Sequence, residues 1–303
     1  MTDIHPDIQA LPVPVNLLGE SPLWHPLEQV LYWCDIPGRQ LHCFDPASQR
    51  HRQWAFHTEV ACCAVRAQGG LLLALRDGLW HFDPSDGSRE RVSAAPYGQT
   101  TERYNDGKAD AQGRFWCGTI YEPRDTPSAG LYRWADGILQ RAASNITVSN
   151  GLAWSPDART VYWADTPAHV VHACDFDLRQ GRLSNRRTFA RFAPREPDLP
   201  LSAYGGRPDG ATVDAEGCYW VAMFEGARVL RFSPDGELLR NLHLPVRCPT
   251  MPCLGGPDLR TLFITTSREK RPLRELAEMP LSGQVLQLRV DVPGLAAHSV
   301  NSP

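Results

Sequence analysis

Four side chains that could supply oxygen ligands lie at the same position in four segments of the sequence. Each stands five residues before a short turn motif, and the four are Glu20, Asn105, Asn150 and Asp209. Two further segments with this spacing have Ala61 and Met251 there. Carboxylate and carboxamide oxygens favour a hard divalent cation such as Ca²⁺, Mg²⁺ or Mn²⁺, and they are also compatible with Zn²⁺ or Fe²⁺. If the four side chains converge, one cation removes the repulsion between two buried carboxylates.

Six turn motifs along the chain define this shared position. In order they read HPLEQ (25–29), RAQGG (66–70), DAQGR (110–114), SPDAR (155–159), DAEGC (214–218) and GPDLR (256–260). Taken alone, a pair such as Asn150-Gly151 is more typical of a hairpin turn than of a ligand site. The coincidence of four polar residues at one position of a repeat favours the metal site over four unrelated turns.

Two series of strand motifs accompany the turns. The first reads LYWCD, LLLAL, RFWCGT, VYWAD, CYWVA and LFITT, with centres about 40 to 60 residues apart. The second follows it in phase and reads RQLHCFDP, DGLWHFDP, AGLYRWADG, HVVHACDFD, ARVLRFSPDG and GQVLQLRVD. Six such copies predict an all-β fold, a six-bladed β-propeller with four antiparallel strands per blade. A β-sandwich would not repeat two series in phase six times.

The predicted propeller brings the ring position to the channel mouth, because the innermost strand of each blade begins there. We expect a single propeller domain over 1–303, with a core of about 17–292 and short terminal tails. A helical period is visible only in the segment 271–280.

Composition narrows the classes of partner and the compartment. The net charge is −3 and no apolar run approaches the roughly 20 residues of a membrane span, which predicts no nucleic-acid and no membrane partner. The N-terminus lacks a basic start followed by a long apolar run, so we expect a cytoplasmic protein. Nine scattered cysteines fit reduced, buried thiols better than a disulfide framework, and Cys248 and Cys253 are expected to pack rather than bind metal.

Several long motifs identify a family. They are GESPLW, RYNDGKADAQGRFWCGT, SNGLAWSPD, LSNRR, RPDGATVDAEGCYWVA and GGPDLRTLFITT. Together they resemble the SMP-30/gluconolactonase/regucalcin-like family from about residue 17 to residue 292. The tail PLSGQVLQLRVDVPG is similar to bacterial sugar-acid lactonases of that family.

The resemblance implies a six-bladed propeller with one divalent metal cation in the channel mouth, held by Glu20, Asn150 and Asp209. It also implies that Arg103 and Asn105 bind the substrate. The repeat spacing points to both asparagines and both carboxylates independently. Arg103 comes from the resemblance alone.

One loop departs from the family pattern. Some members carry a substrate-facing acid shortly after the Gly-Thr of the third blade, whereas GTIYEPRD has Glu122 one residue earlier and Pro123 at the matching position. Glu122 is therefore a candidate substrate contact, and the sugar specificity carried by this loop is open.

Three long segments are expected to overhang the channel mouth, because their places in the strand order put them on that face. They are 121–129, 191–207 and 267–280. Long loops on one face of a scaffold commonly carry function. Tyr121, Tyr204 and Arg207 are the candidate contacts to a sugar ring.

The predicted activity is metal-dependent hydrolysis of a small-molecule sugar (aldono) lactone to the aldonic acid, with the metal as Lewis acid. Asp209 is the catalytic candidate, orienting or deprotonating the attacking water. No G-x-S-x-G motif suggests a serine nucleophile. His169 and His172 are expected on opposite faces of one strand, in structural roles.

Three alternatives stay open. One is a calcium-binding regulatory propeller without turnover, and another is a metal-dependent esterase or phosphotriesterase on the same scaffold. A propeller that only binds other proteins is disfavoured, since it has no use for an oxygen ring in the channel. A monomer or weak oligomer is expected.

Overall fold

The computed structural model describes residues 4–301, and its regular structure is almost entirely β-strand. The N-terminal strand is β1 (Gln9–Ala10). Blade 1 contains β2 (Gly19–His25), β3 (Val30–Asp35), β4 (Gln40–Asp45) and β5 (Arg50–Ala55). Blade 2 contains β6 (Val60–Arg66), β7 (Leu71–Leu75), β8 (Gly78–Phe82) and β9 (Arg89–Ala94). Blade 3 contains β10 (Glu102–Ala109), β11 (Phe115–Tyr121), β12 (Ala129–Ala135) and β13 (Ile138–Ile146).

The second half of the chain repeats this order. Blade 4 contains β14 (Ser149–Trp154), β15 (Thr160–Asp165), β16 (Val170–Asp177) and β17 (Arg182–Arg191). Blade 5 contains β18 (Arg207–Val213), β19 (Tyr219–Phe224), β20 (Arg228–Phe232) and β21 (Leu238–His243). Blade 6 contains β22 (Cys248–Gly255), β23 (Thr261–Ser267) and β24 (Leu286–Arg289), and β25 (Ser299–Val300) follows. The six sheets form the predicted six-bladed β-propeller, with antiparallel strands in each blade.

A short strand near each end of the described residues 4–301 joins a blade. Strand β1 pairs with β24, so the N-terminal segment supplies the outermost strand of blade 6. Strand β25 pairs in parallel with β6 of blade 2. Regular pairing therefore extends beyond the expected core of about 17–292. The physical reason is that a blade edge leaves backbone N–H and C=O groups that need partners.

The aromatic residues of the first motif series form the packing between blades. Trp33, Trp116, Trp163, Trp220 and Phe263 are at most 2% exposed. One cluster joins Trp116 of blade 3 to Trp163 of blade 4, and the other clusters likewise combine neighbouring blades. Truncation of a buried tryptophan to alanine typically costs about 3–5 kcal/mol, so the repeated aromatic strand stabilises the ring of blades.

Helical structure is confined to two short elements in the long loops. Helix α1 (Leu273–Glu278) lies in the segment where a helical period was expected, and a 3₁₀ turn spans Leu201–Ala203. Within residues 4–301, no helix is long and apolar enough to cross a membrane. All nine cysteines are free thiols, and only Cys253 is partly exposed.

The inner strands β2, β6, β10, β14, β18 and β22 each depart from regular pairing around the ring position. Ser21 and Gly151, which follow two of the ring residues, have φ of 48° and 61°. A Cβ on Gly151 would meet the Tyr219 hydroxyl and would lie 3.1 Å from the backbone oxygen of Asp209. The left-handed φ favours glycine at position 151, and the close approach of Tyr219 and Asp209 excludes a side chain there.

Candidate active site

The four polar residues of the ring converge on one cavity, as their common position in the repeat predicts. Glu20, Asn105, Asn150 and Asp209 all line a cavity of ≈ 740 Å³, and none is more than 7% exposed. The three long segments each contribute to its wall, through Glu122, Arg207 and Lys270 among others. The channel mouth is therefore polar and enclosed by loops, as expected of a binding site.

A chain of hydrogen bonds orients the carboxamides of the ring. Arg103 Nη1 donates to Asn105 Oδ1 at 3.0 Å, and Asn105 Nδ2 donates to Asn150 Oδ1 at 2.8 Å. Asn150 Nδ2 donates to Thr166 Oγ1 at 2.9 Å, and that hydroxyl donates to the backbone oxygen of Pro208 at 2.8 Å. Asn150 Oδ1 keeps one lone pair free, because a carboxamide oxygen accepts two bonds. Thr166 was not predicted from the sequence, because it lies outside the repeat position shared by the ring residues.

The carboxyl groups of the ring are held in an unfavourable electrostatic environment. Burial raises the pKa of Glu20 well above its usual range, and the neighbouring Asp209 and Asp106 raise it further. Burial likewise raises the pKa of Asp209 to about 8, although Arg207 opposes the rise. Asp106 Oδ1 has no hydrogen-bond partner among the described residues. Three carboxyls thus lie close together without enough donors to stabilise their charged forms.

The donor set fits a divalent cation. Within residues 4–301, no group of three or more His, Cys, Asp or Glu side chains could hold a metal ion, so a cation here would depend on the Asn150 carboxamide together with Glu20 and Asp209. These oxygens are hard ligands, and their uncompensated burial is what a cation would relieve. Asp106 is a further buried carboxylate near these residues, and it was not predicted from the sequence. Its position directly after Asn105 in the motif YNDGK is the sequence feature that could have identified it.

Two aspartates at the ends of second strands fix the entry into inner strands of the ring. Asp165 accepts the backbone N–H groups of 147–148 at 3.2 Å each. Asp35 accepts those of 17–18 at 3.0 Å each. These bonds anchor the backbone just before the ring residues of blades 4 and 1. The sequence signal is the final aspartate of the motifs VYWAD and LYWCD.

Glu122 lies on the cavity wall and is held by two arginines. Arg76 donates to both of its carboxylate oxygens, at 2.9 and 3.0 Å. Arg103 Nε lies 3.7 Å from Glu122 Oε1. Burial lowers the pKa of Arg103, and Glu122 is the strongest of the carboxylates that oppose this shift. Arg76 was not expected from the sequence, because its contact with Glu122 joins two blades.

The aromatic candidates lie away from the cavity lining. Tyr121 packs on the cluster between blades 3 and 4. Tyr204 is buried, with its hydroxyl 2.5 Å from His169 Nε2. His169 itself lines the cavity from the turn before β16, where its φ is 55°, instead of alternating with His172 along a strand as expected. Tyr204 therefore positions a wall residue.

Arg207 does line the cavity. Its Nη1 lies 3.1 Å from Glu225 Oε2, and its guanidinium lies 5.0 Å from the centroid of the Phe224 ring. Neither Phe224 nor Glu225 was expected from the sequence, since each is placed by the end of β19.

The fold and the site together define a class, the six-bladed β-propellers with buried carboxylates and carboxamides gathered at one cavity. The chain belongs to the SMP-30/Gluconolactonase/LRE-like family, whose sequence profile matches residues 18–268. The family expected from the motifs is thereby confirmed.

Relatives with established names cover almost the whole chain. A 6-deoxy-6-sulfogluconolactonase of Pseudomonas putida is 45% identical over 282 residues, which is 93% of this chain and 94% of the relative. Regucalcin of Xenopus laevis is 30% identical, over 92% of this chain and 93% of the relative. This chain is therefore similar over nearly its whole length both to a protein named as a lactonase and to one named as a regucalcin.

Solved structures share the fold. The calcium-binding regucalcin of Agrobacterium tumefaciens superposes with a TM-score of 0.89 at 26% identity, covering 97% of each chain. A gluconolactonase of Xanthomonas campestris superposes with a TM-score of 0.71 at 24% identity, covering 94% of this chain and 89% of that chain. The similarity to the Xanthomonas campestris structure supports the fold alone.

Proposed function

We propose that the protein is a metal-dependent lactonase that opens a sugar (aldono) lactone to the aldonic acid. The observation that carries this proposal is the buried ring of Glu20, Asn105, Asn150 and Asp209 on the floor of a polar cavity of ≈ 740 Å³. Family membership and the lactonase named among the relatives support the same reaction.

Glu20, Asn150 and Asp209 are the residues that would hold the cation. A divalent cation bound there would supply Lewis acidity toward the lactone carbonyl oxygen. The two carboxylates and the carboxamide are all hard oxygen donors, which leaves Ca²⁺, Zn²⁺, Mn²⁺, Mg²⁺ and Fe²⁺ as candidates.

Asp209 is the group proposed to orient the attacking water and to take its proton. Water adds to the carbonyl carbon, the ring C–O bond breaks, and the proton removed from the water ends on the departing ring oxygen. Asp209 lines the cavity together with the other proposed ligands, so its carboxylate is placed to accept that proton.

Arg103 and Asn105 are proposed to hold the substrate oxygens. Arg103 Nη1 is committed to the backbone oxygen of Tyr104 at 2.8 Å and to Asn105 at 3.0 Å, so its remaining N–H groups can donate toward the cavity. Glu122 and Arg207 are proposed as further contacts, because both line the cavity. Tyr121 has no part in this proposal, since it packs between blades.

The Pseudomonas putida relative is named as a 6-deoxy-6-sulfogluconolactonase. Lactones with a sulfonate on C6 are therefore the first substrates to compare with gluconolactone. A calcium-binding role without turnover is the second candidate, which the Agrobacterium tumefaciens structure favours. Arg103 argues against a pure calcium site, because a guanidinium beside the cation costs electrostatic energy, which Glu122 offsets in part and a bound substrate would offset further. A metal-dependent esterase or phosphotriesterase on the same scaffold is tested by the assay below.

The deciding experiment measures acid release by metal-stripped protein on five- and six-membered aldonolactones, with one divalent ion added back at a time. We expect at least one ion to restore turnover of a lactone. Calorimetric binding of an ion without turnover of any lactone would favour the calcium-binding alternative. The same panel includes aryl esters and phosphotriesters. If these are turned over faster than every lactone, the protein is an esterase or phosphotriesterase and the lactonase proposal is wrong.

Three expectations about the protein's surroundings stay predictions. They are the cytoplasmic location, the lack of nucleic-acid or membrane partners, and a monomeric or weakly oligomeric state.

A further inference from the structure

The charged side chains on the wall above the ring are mostly paired with one another. Glu225 lies 3.1 Å from Arg207 and 2.7 Å from Arg271. Glu122 receives two hydrogen bonds from Arg76. Within such pairs, the donors and acceptors are largely used by the protein itself, so these groups are poorly placed to bind a further charge.

Arg124 is the exception on this wall. It lies in the loop 121–129, is exposed, and lines the same cavity as the ring. Among the described residues, its guanidinium has no hydrogen-bond or ion-pair partner. Lys270, another exposed cation of the wall, differs because its Nζ lies 3.2 Å from a carboxylate oxygen of Glu269.

The backbone holds Arg124 over the cavity. Its φ is 58°, a left-handed conformation that residues other than glycine seldom adopt, and its N–H donates to the backbone oxygen of Tyr121 at 3.1 Å. The neighbouring Glu122 N–H donates to the backbone oxygen of Thr101 at 2.9 Å. The loop backbone is therefore fixed by hydrogen bonds at Glu122 and at Arg124.

The guanidinium lies within electrostatic range of the ring. Arg124 and Asp209 line the same cavity, and the positive charge of Arg124 acts on the Asp209 carboxyl. A divalent cation held by Glu20 and Asp209 would balance those two carboxylates. Arg124 would then be a cation with unused donors facing an enclosed polar cavity.

We propose that Arg124 binds an anionic substituent, a sulfonate or a phosphate, carried by the sugar lactone away from its carbonyl group. The inference deepens the proposed function and rests on it. A guanidinium presents several N–H donors in a planar fork, and that geometry matches two oxygens of a tetrahedral oxyanion. The cavity volume falls within the range of sites for small organic ligands, which leaves room for a substituted sugar.

The test compares three lactones that share one ring and differ at C6. They are glucono-1,5-lactone, 6-deoxy-6-sulfoglucono-1,5-lactone and 6-phosphoglucono-1,5-lactone. We expect the protein without any mutation to have a higher kcat/KM for at least one of the two anionic lactones than for glucono-1,5-lactone. The Arg124→Gln variant should lose about 10- to 100-fold of that preference, the range for a hydrogen bond to a charged group. The lactone that is favoured identifies sulfonate or phosphate as the substituent.

Arg159→Gln is the matched control. Arg159 has the same charge and lies in the exposed turn at the opposite end of an inner strand, with its side chain 86% exposed. An equal loss of preference in Arg159→Gln would overturn the proposal, because net charge would then explain the effect. Unchanged preference in Arg124→Gln, or no preference in the unsubstituted protein, would also overturn it.

A binding measurement separates this inference from the lactonase proposal. Calorimetry compares gluconate with 6-deoxy-6-sulfogluconate and 6-phosphogluconate on the metal-loaded protein and on Arg124→Gln. If no lactone is turned over, the lactonase proposal fails. Tighter binding of an anionic acid that is lost in Arg124→Gln would still support the anion site, and equal binding by both proteins would refute it.

Discussion

Buried carboxylates lie at both ends of the inner strands, and the hydrogen-bond partners differ between the two ends. At the far end, Asp214 accepts the backbone N–H groups of Glu216 and Cys218 at 3.0 Å each. It also accepts the indole N–H of Trp220 and the Nε–H of Arg231, both at 2.8 Å. Asp214 is fully buried, yet its charge is compensated by donors from its own blade.

The carboxylates at the channel mouth lack a comparable set of hydrogen-bond donors. Glu20 receives only a long bond of 3.4 Å from the N–H of Ser21, and Asp106 leaves one oxygen without a partner in the described chain. Asp209 is 6% exposed and lies close enough to both for their charges to interact. Burial alone therefore does not distinguish a structural carboxylate from a functional one. The difference is whether the protein supplies the donors.

The largest expected effect is on catalysis at the mouth. Asp209→Asn and Glu20→Gln should each lower kcat/KM for the lactone by roughly 10³-fold or more, because each removes a proposed ligand and Asp209 is also the proposed base. Circular dichroism should show both variants folded. Arg159→Gln serves as the active control. Normal activity in either ring variant would mean that the mouth carboxylates are not the site.

At the far end of the inner strands, we expect a substitution to lower stability while activity is retained. Asp214→Ala leaves the Trp220 indole, the Arg231 guanidinium and two backbone N–H groups without their acceptor. The free energy of unfolding should fall by about 3–5 kcal/mol in urea titrations. Activity per folded molecule should be retained. A stable Asp214→Ala protein would contradict the structural role assigned to this carboxylate.

The stability of metal-free protein should depend on pH through the mouth carboxyls. Their folded-state pKa values are raised above the unfolded values, so the native state binds more protons between about pH 4 and pH 8. Stability should therefore be greatest at the acid end of this range, and Asp209 alone should account for a fall of roughly 4 kcal/mol as the pH rises from 5 to 8. Unfolding in urea at fixed pH measures this slope. Asp209→Asn should make the slope shallower without abolishing it, because Glu20 and Asp106 remain, and an unchanged slope in that variant would contradict the shift assigned to Asp209.

The smallest effect is expected from a backbone position beside the ring. Gly151→Ala should cost about 1–2 kcal/mol for its left-handed φ, and more because the new Cβ meets the Tyr219 hydroxyl. It should also weaken ion binding in calorimetric titrations. Gly137→Ala is the matched control, since its φ is 74° and nothing lies within 4 Å of the added Cβ. Equal losses in both variants would remove the argument for crowding at the ring.

Much of this arrangement could be predicted from the sequence because it is periodic. The aromatic strands around Trp33, Trp116, Trp163 and Trp220 recur at a spacing that one blade requires, and all four tryptophans are buried in the structure. The ring position follows from the same period. Four polar residues at one phase of a repeat must meet near the axis once the blades close into a ring.

Other features depend on contacts between residues far apart in the chain. Arg76 and Glu122 are 46 residues apart, and Thr166 bridges Asn150 to the backbone of Pro208, 42 residues further on. The placement of Tyr121 between blades differs from the position expected of it over the mouth. Local patterns contain no signal for such pairs, because side-chain direction at a loop depends on the neighbouring blade.

The sequence by itself therefore determined the six-bladed architecture, the family and the four residues of the ring, because each follows from the period of the repeat or from contiguous motifs. Only the tertiary structure decided which buried carboxylates have donors and which do not. It also left Arg124 as the unpaired cation of the wall and closed blade 6 with the strand Gln9–Ala10. These outcomes depend on how separate blades meet, where hydrogen bonds and charges must be balanced among residues distant in the chain.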